Sequence, residues 1–209
     1  MTHKLPPMNR PVAFIPYLVL AACVAAGALW YLGDVRSHST VQSIPTGETV
    51  VLGGPFSLTD QNGATRTDKD FRGKYMLVFF GYTYCPDVCP TTLAVMSEAL
   101  KMMGQRAEKV APVFITVDPK RDTPEKLKSY LDSFGPEFVG LTGNTSDIAN
   151  VAKEYRVYYR EQSPDQKGDY GVDHSGVVYL MDPNGVFVAN YSLETSPETL
   201  AADLMKRLR

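Results

Sequence analysis

The chain has 209 residues, of which 44% are apolar and 21% are charged, and its formal net charge at pH 7 is −2. This length and composition are typical of one globular domain with appended segments, and they exclude an intrinsically disordered chain. The small net charge and the lack of a polybasic block in the sequence argue against nucleic acid as a partner.

The first part of the chain contains one long apolar segment. No residue is charged from 11 to 32 (PVAFIPYLVLAACVAAGALWYL), which is about the length of helix that crosses a bilayer core. Lys4 and Arg10 precede this segment, which indicates a cytoplasmic N-terminus. We therefore expect a cytoplasmic segment at residues 1–10, a transmembrane anchor at 11–33, and a single-pass protein of the cell inner membrane whose C-terminal domain lies in the periplasm.

Two alternatives to an uncleaved anchor remain open. The first is a signal peptide that is cleaved near residues 26–28. The second is a lipoprotein signal, because residues 20–23 (LAAC) have the lipobox order and end at Cys23. Secretory apolar regions are usually about 7 to 15 residues long, whereas this one continues past Cys23, which favours the anchor.

Residues 34–49 are polar, contain serine, proline and glycine, and have no apolar periodicity. This pattern predicts a stalk between the membrane and a domain at residues 50–209. His38 lies in this stalk without another candidate ligand beside it, so we interpret it as a solvated linker residue.

The domain begins with a predicted β-hairpin and continues with alternating strands and helices. The hairpin joins residues 56–59 and 64–67 through the turn dipeptide Asn62-Gly63. Apolar runs and helical periodicity then predict the following elements: a strand at 76–80, a helix from Pro90 to about Gly104, a strand at 113–117, a helix from Pro124 to about Phe134, a strand at 138–141 and a helix at 146–156.

A loop at residues 163–170 separates these elements from a second predicted hairpin, which joins 176–181 and 186–191 and is followed by a helix at 197–208. Apolar strands that alternate with helices indicate a buried, largely parallel sheet. The order of elements and the terminal hairpin agree with an α/β, thioredoxin-like fold.

Cys85 and Cys89 are the two cysteines of the predicted domain. One pair cannot staple a disulfide scaffold, so the domain depends on its hydrophobic core and the thiols are free for chemistry. Cys89-Pro90 resembles a helix start, so we predict Cys89 as the N-cap of the helix. There the helix dipole should lower its pKa below the reference value of about 8.5.

Three segments of the sequence resemble the signature segments of the Sco/SenC family. They are GYTYCPDVCP at 81–90, VDPKRDTPEKLKSY at 117–130 and DHSGVVYLMDPNG at 173–185, and the similarity extends from about Pro55 to the C-terminus. Members of that family are thioredoxin-like, membrane-anchored copper-binding proteins that serve in assembly of the dinuclear copper centre of cytochrome c oxidase. The resemblance implies copper as the metal and the copper-receiving subunit of the oxidase as a partner.

Cys85, Cys89 and His174 are the candidate metal ligands. If the strand after His174 runs antiparallel to the strand before Cys85, the three residues meet at one edge of the sheet. Two thiolates suit Cu(I), and an added imidazole would also allow Cu(II) to be held. Zinc fits less well, because a closed structural zinc site needs four ligands.

Other residues near these candidates have competing interpretations. Asp87 and Asp173 either accept hydrogen bonds from the ligands or are surface carboxylates, while Asp118 and Asp122 are expected to shape a loop and cap the following helix. The methionines Met96, Met102 and Met103 fall within one amphipathic helix, where we expect them to fill the core.

We therefore expect a metallochaperone rather than an enzyme, with a copper donor and a thiol reductant as further unidentified partners. The alternative is an exported thiol-disulfide oxidoreductase that uses Cys85 and Cys89 as a redox pair on the cysteines of a copper-receiving protein. Peroxidase activity is a third, more distant alternative.

Overall fold

A computed structural model describes residues 51–135 and 137–208 of the chain. These residues belong to Val50–Arg209, one of two units into which the chain divides. The predicted cytoplasmic segment, transmembrane anchor and stalk, together with Cys23 and His38, lie outside the described residues. Among the helices of the described part, none combines the length and the hydrophobicity that a membrane span requires.

Nine strands are described. In chain order they are β1 Ser57–Asp60, β2 Thr65–Thr67, β3 Tyr75–Gly81, β4 Val110–Thr116, β5 Val139–Thr142, β6 Tyr159–Glu161, β7 Val172–His174, β8 Val178–Met181 and β9 Phe187–Tyr191. Seven of them form one mixed sheet in the order β2-β1-β5-β4-β3-β8-β9, and β6 and β7 form a separate two-stranded sheet.

The centre of the large sheet is parallel and its edges are antiparallel. β4 pairs in parallel with both β3 and β5, whereas β8 runs antiparallel to β3 and β1 runs antiparallel to β5. The predicted α/β sheet is therefore confirmed, but the expectation that it is largely parallel was wrong. Four of its six strand pairings are antiparallel, because β-hairpins form both edges and only the centre is parallel. The antiparallel direction of β8 is the arrangement that the prediction for His174 required.

The described helices are α1 Val88–Met103, α2 Pro124–Leu131, α3 Thr145–Glu154 and α4 Pro197–Arg207, with 3₁₀ helices at Asp68–Phe71 and Gly104–Lys109. α2, α3 and α4 begin where the sequence offers a cap. The side chains of Thr123, Asn144 and Ser196 each accept a hydrogen bond from a backbone N–H in the first helical turn. These local caps explain why the sequence located the helix starts closely.

The core lies around the central strands. Residues 77–80 of β3 and 113–115 of β4 have no exposed surface, which is typical of parallel strands covered on both faces. Met96 and Met103 of α1 are also buried, as predicted, but the prediction was wrong for Met102, which is 44% exposed. Met102 lies near the end of the helix, on the side that faces away from the core.

Two predictions near the cysteines need correction. α1 begins at Val88 with Asp87 at the N-cap position, so Cys89 lies inside the first turn and does not cap the helix. Pro90 is tolerated there because the first helical N–H groups have no partner within the helix. The predicted strand after His174 began too early, and the small β6–β7 hairpin was missed.

Candidate metal centre

The loop that carries Cys85 joins the end of β3 to the start of α1. Asp122, which has no exposed surface, fixes this loop from the side. Its Oδ2 accepts a hydrogen bond from the backbone N–H of Thr83 at 3.0 Å, and its Oδ1 accepts one from Oγ1 of Thr83 at 2.6 Å. Thr116 Oγ1 donates to Oδ2 of the same carboxyl group at 2.6 Å, so the loop is tied to the end of β4.

The two cysteines have different environments, although they are only four positions apart in the sequence. Cys89 is fully buried, whereas Cys85 is partly exposed, and both are free thiols. The backbone N–H of Cys89 donates to Sγ of Cys85, with an N–S distance of 3.4 Å. Sγ of Cys85 therefore lies at the N-terminal end of α1, in the place that the sequence assigned to Cys89.

Gly81 at the end of β3 leaves room for the buried thiol. A Cβ atom at this position would lie 2.6 Å from Sγ of Cys89 and 2.9 Å from the ring of Phe114. Real Cβ atoms do not approach other atoms this closely, so a side chain at residue 81 would displace one of these groups. The backbone conformation of Gly81 is one that other residues also adopt. The glycine is therefore needed here for space and not for its conformation.

His174 is the last residue of β7 and lies beside the cysteines. Its Nε2 is 3.4 Å from Sγ of Cys89, and its Nδ1 is 3.3 Å from the carbonyl oxygen of Ser175. The rings of Phe79 and Tyr82 meet the imidazole in edge-to-face orientation at centroid distances of 6.1 and 5.8 Å. These contacts hold the imidazole so that Nε2 faces the thiols.

The structure brings all three predicted ligands together. One ligand atom from each of Cys85, Cys89 and His174 lies within 4.8 Å of the other two, which is close enough for the group to hold a single metal ion. Two sulfur atoms and one imidazole nitrogen make a donor set for a soft ion, and copper in particular accepts both kinds of donor. The residues therefore fit a three-coordinate copper ion.

The electrostatics reverse the sequence prediction for the two thiols. Hydrogen bonds from the Cys89 thiol and from the backbone N–H groups of Asp87 and Cys89 lower the pKa of Cys85 to about 4. The hydrogen bond to Cys85 and burial raise the pKa of Cys89 above its usual value. The prediction that Cys89 ionises readily was therefore wrong, because its sulfur is the one placed in the core.

The structure decides between the interpretations that the sequence left open for the four aspartates. Within the described residues, the carboxylates of Asp87 and Asp173 make no hydrogen bond to a ligand side chain, although the backbone N–H of Asp87 donates to Cys85. The Asp173 carboxylate instead accepts from two neighbours on the hairpin, Arg160 and Gln162. Asp118 and Asp122 do not cap the following helix, because Thr123 does so. Their side chains instead bind the segments around the centre.

Arg121 is a residue of the site that sequence reasoning missed. Its guanidinium carbon lies 3.6 Å from the ring centroid of Tyr170 and 4.7 Å from that of Tyr84, and its Nε donates to the buried carboxyl group of Asp118. The signal was present in the segment VDPKRDTPEKLKSY, which was used only to recognise a resemblance. Nothing in its spacing shows that it contacts both ligand-bearing segments.

Comparison with known proteins identifies the family. The family model described as SCO1/SenC matches residues 45–209. The chain belongs to the SCO1/SenC family. The resemblance drawn from three short segments is therefore confirmed. The matched region of this chain includes all three candidate ligands.

Relatives in this family cover most of the chain. The SCO2-like protein of Rickettsia felis is 38% identical over 187 residues, which are 88% of this chain and 91% of the relative. The structure of Bradyrhizobium japonicum ScoI with copper bound is 53% identical, with a TM-score of 0.70, and covers 74% of this chain and 98% of that chain. Yeast Sco1 with copper bound is 38% identical, with a TM-score of 0.71, and covers 76% and 88%.

These structural likenesses also confirm the α/β part of the predicted fold class. The described part of this SCO1/SenC chain has the central mixed sheet flanked by helices that the thioredoxin-like Sco structures share. The likeness covers about the same share of the chain as the described residues do.

Proposed function

We propose that this chain is a membrane-anchored copper metallochaperone that serves in assembly of the dinuclear copper centre of cytochrome c oxidase. The observation that carries the proposal is the convergence of Cys85, Cys89 and His174, whose ligand atoms lie within 4.8 Å of one another. Two Sco proteins of similar sequence have been solved with copper bound, which supports copper as the ion bound here.

The donor set suits both oxidation states of copper for different reasons. Two thiolates favour Cu(I), which needs no further ligand, while the imidazole nitrogen of His174 adds the harder donor that retains Cu(II). Cys85 is already ionised near neutral pH, because its pKa is about 4. Cys89 must lose its proton when the metal binds, so copper uptake by this chain should release a proton.

A Cu(I) titration of cysteine variants should identify the thiolate ligands. With the full-length chain kept reduced, we expect about one Cu(I) per chain, measured by competition with a chromophoric Cu(I) chelator. Cys85→Ser and Cys89→Ser should each abolish this binding, whereas Cys23→Ser is the matched control and should bind as the unaltered chain does. Stoichiometric Cu(I) binding by the Cys85→Ser, Cys89→Ser double variant would refute the site.

The proposed location has its own test. The uncharged segment at residues 11–32, preceded by Lys4 and Arg10, supports an anchor in the inner membrane with the domain in the periplasm. A reporter that is active only in the periplasm, fused after Arg209, should be active in the membrane fraction. A soluble product trimmed near residues 26–28 would show a cleaved signal instead, and lipid attached at Cys23 would show a lipoprotein.

A thiol-disulfide oxidoreductase is the second candidate function, and the environment of Cys85 favours it. A partly exposed cysteine with a low pKa can attack a disulfide of the copper-receiving protein, and Cys89 can then complete the exchange. The target disulfide gains two electrons as the Cys85–Cys89 disulfide forms, so a thiol reductant must later restore the pair.

His174 separates the two candidates, because thiol exchange needs no imidazole. His174→Ala should still form and reduce the Cys85–Cys89 disulfide and retain weakened Cu(I), but it should lose most Cu(II) binding and fail to support oxidase assembly. His38→Ala is the matched control and should behave as the unaltered chain. If His174→Ala keeps full copper affinity and full oxidase assembly, the oxidoreductase function becomes the better account.

A further inference from the structure

The hairpin that carries His174 is not part of the large sheet. β6 and β7 pair only with each other, through Tyr159↔His174, Arg160↔Asp173 and Glu161↔Val172. The cysteines, in contrast, follow β3, which is hydrogen-bonded on both sides. No ladder of backbone hydrogen bonds joins the hairpin to the large sheet in the described part of the chain. The position of His174 therefore depends on side-chain contacts, together with the short segment that connects it to β8 at Val178.

One such contact lies at the loop end of the hairpin. Tyr170, two residues before β7, donates a hydrogen bond from its hydroxyl to Oδ1 of Asp118 at 2.9 Å. The guanidinium of Arg121 lies over the same ring, 3.6 Å from its centroid, and pairs with the Asp118 carboxyl group. Asp118 has no exposed surface, so Tyr170 is attached to the interior of the domain.

The group that holds Tyr170 is itself connected to the cysteine loop. The backbone N–H of Asp118 donates to Oγ1 of Thr116 at 2.9 Å, and that hydroxyl donates in turn to the carboxyl group of Asp122. Asp122 holds the cysteine loop through Thr83. A continuous series of hydrogen bonds therefore joins the loop of the hairpin to the loop of the cysteines.

We propose that Tyr170 is a positioning residue for His174. The hydroxyl and ring of Tyr170 attach the β6–β7 hairpin to Asp118 and Arg121, and thereby keep the imidazole beside the thiols. The proposal rests on the proposed copper site. It assigns no metal contact to Tyr170, which acts through the hairpin. Opening of this contact would withdraw the nitrogen ligand and leave the two sulfur ligands in place.

Other contacts also act on the hairpin. The rings of Phe79 and Tyr82 meet the imidazole itself and orient it once the hairpin is in place. Lys120 and Glu161 form an ion pair at 2.8 Å, but both side chains are exposed, and exposed pairs contribute little. Val172 packs into the core, and this apolar contact stabilises the hairpin. Burial and the hydrogen bond to Asp118 raise the pKa of Tyr170 to about 12, so its hydroxyl remains a donor at neutral pH.

The test uses the full-length chain with Tyr170→Ala, Tyr170→Phe and, as the matched control, Tyr158→Ala. Tyr158 lies directly before β6, but the residue is 58% exposed. Tyr170→Ala should lower Cu(II) affinity about tenfold, as the loss of a supporting residue commonly does. It should lower Cu(I) affinity by less than about threefold, because the two thiolates provide most of that binding. Tyr170→Phe, which keeps the ring over Arg121, should recover part of the loss, and Tyr158→Ala should match the unaltered chain.

A second measurement needs no copper. The NMR signals of the His174 ring in the reduced, metal-free chain should be shifted by the rings of Phe79 and Tyr82, and they can be assigned by their loss in His174→Ala. Tyr170→Ala should move these signals toward the values of a solvated histidine, whereas Tyr158→Ala should leave them unchanged.

Three outcomes would overturn the proposal. They are unchanged His174 signals in Tyr170→Ala, equal losses of Cu(I) and Cu(II) affinity in that variant, and an effect of Tyr158→Ala as large as that of Tyr170→Ala. If the unaltered chain binds no copper, the proposed function fails, but the metal-free NMR measurement still decides whether Tyr170 positions His174. The two failures are therefore distinguishable.

Discussion

The large sheet and the β6–β7 hairpin hold their parts of the centre in different ways. The sheet carries Cys85 and Cys89 on a loop and helix that follow β3, a strand buried on both faces and hydrogen-bonded on both sides. His174 lies in the hairpin, whose two strands are joined to each other by three residue pairs and form a separate sheet. The sulfur ligands are thus fixed by backbone and core, and the nitrogen ligand by side chains.

This difference would suit the metallochaperone that we propose, which has to hold an ion and then release it. Local stability in a domain follows the number of buried contacts and protected hydrogen bonds, so a small exposed hairpin opens more readily than a central strand. A copper ion held by two fixed sulfurs and one releasable nitrogen can pass to a partner once the nitrogen leaves. Four predictions test or sharpen the contrast between the two regions.

The largest expected effect concerns the ionisation of Cys85, which the sheet region should control. In a Cys23→Ser background, alkylation of Cys85 by iodoacetamide should stay nearly constant from neutral pH down to about 5. The rate should fall as pH drops through the pKa of about 4, because the thiolate is the form that reacts and its fraction decreases below this pKa. Cys89→Ala should slow alkylation roughly tenfold at pH 5, even after the gain in intrinsic nucleophilicity at higher pKa.

His174→Ala is the comparison for this experiment. The imidazole is the smallest of the causes that lower the pKa of Cys85, so its removal should change the alkylation rate at pH 5 far less than Cys89→Ala does. Equal effects of the two variants would show that the hairpin controls the thiolate as much as the sheet region does, and would contradict this prediction.

Gly81→Ala should disturb the sulfur ligands directly. The added methyl group would lie 2.6 Å from Sγ of Cys89, and such overpacking should lower the free energy of unfolding by about 1–3 kcal/mol. It should also weaken Cu(I) binding about tenfold, because the buried thiol must move.

Gly140→Ala is the matched control for this change. Gly140 is also a buried strand glycine, but its Cβ would meet only the side chains of Leu131 and Leu127, far along the chain from either cysteine. Urea unfolding and Cu(I) competition should show a stability loss in both variants and weaker copper binding in Gly81→Ala only. Equal copper affinities in the two would contradict the role of Gly81.

Asp122→Asn should loosen the cysteine loop, although the substituted side chain has nearly the same size. The carboxyl group accepts three hydrogen bonds from Thr83 and Thr116, and an amide leaves at least one buried donor unpaired, which should cost about 1–3 kcal/mol of unfolding free energy. Asp173→Asn on the hairpin is the control, and we expect no measurable loss of stability from it. A stable Asp122→Asn variant would mean that the loop is held by other contacts.

Lys120→Ala should have the smallest effect. It removes the exposed ion pair with Glu161, which should change the free energy of unfolding by less than about 1 kcal/mol. The NMR signals of the His174 ring should not move. If they do, the ion pair shares the task that we assign to Tyr170, and the hairpin is held along its edge as well as at its loop.

Much of the fold could be predicted from the sequence because its signals are local. Thr123 and Ser196, each followed by proline, start helices where they were expected to, and Gly63 with its positive φ makes the turn predicted at Asn62-Gly63. Each of these features depends on neighbours within a few positions. The start of α1 was placed wrongly for the same reason, since Cys89-Pro90 imitates a local cap.

The candidate site could be predicted in part. The apolar run before Cys85 and the antiparallel return after His174 indicated one sheet edge, and the structure brings the three side chains together. The hairpin was missed because three-residue strands in a polar segment leave little periodicity. Tyr170 was missed because its hydrogen bond joins it to Asp118, 52 positions away in the chain. Arg121 was missed because its ring contacts are with Tyr84 and Tyr170, which are also distant in the sequence.

By itself, the sequence determined which donor atoms the protein has, in what order its elements follow, and at which edge of the sheet the donors gather. Only the tertiary structure decided that Cys85 rather than Cys89 is the ionised thiol, that Asp118 and Asp122 do not cap the following helix, and that His174 is attached through a separate hairpin. The physical reason is burial. Desolvation and long-range hydrogen bonds depend on which distant segments surround a group, and Cys89 and His174, in contact at 3.4 Å, are 85 positions apart in the chain.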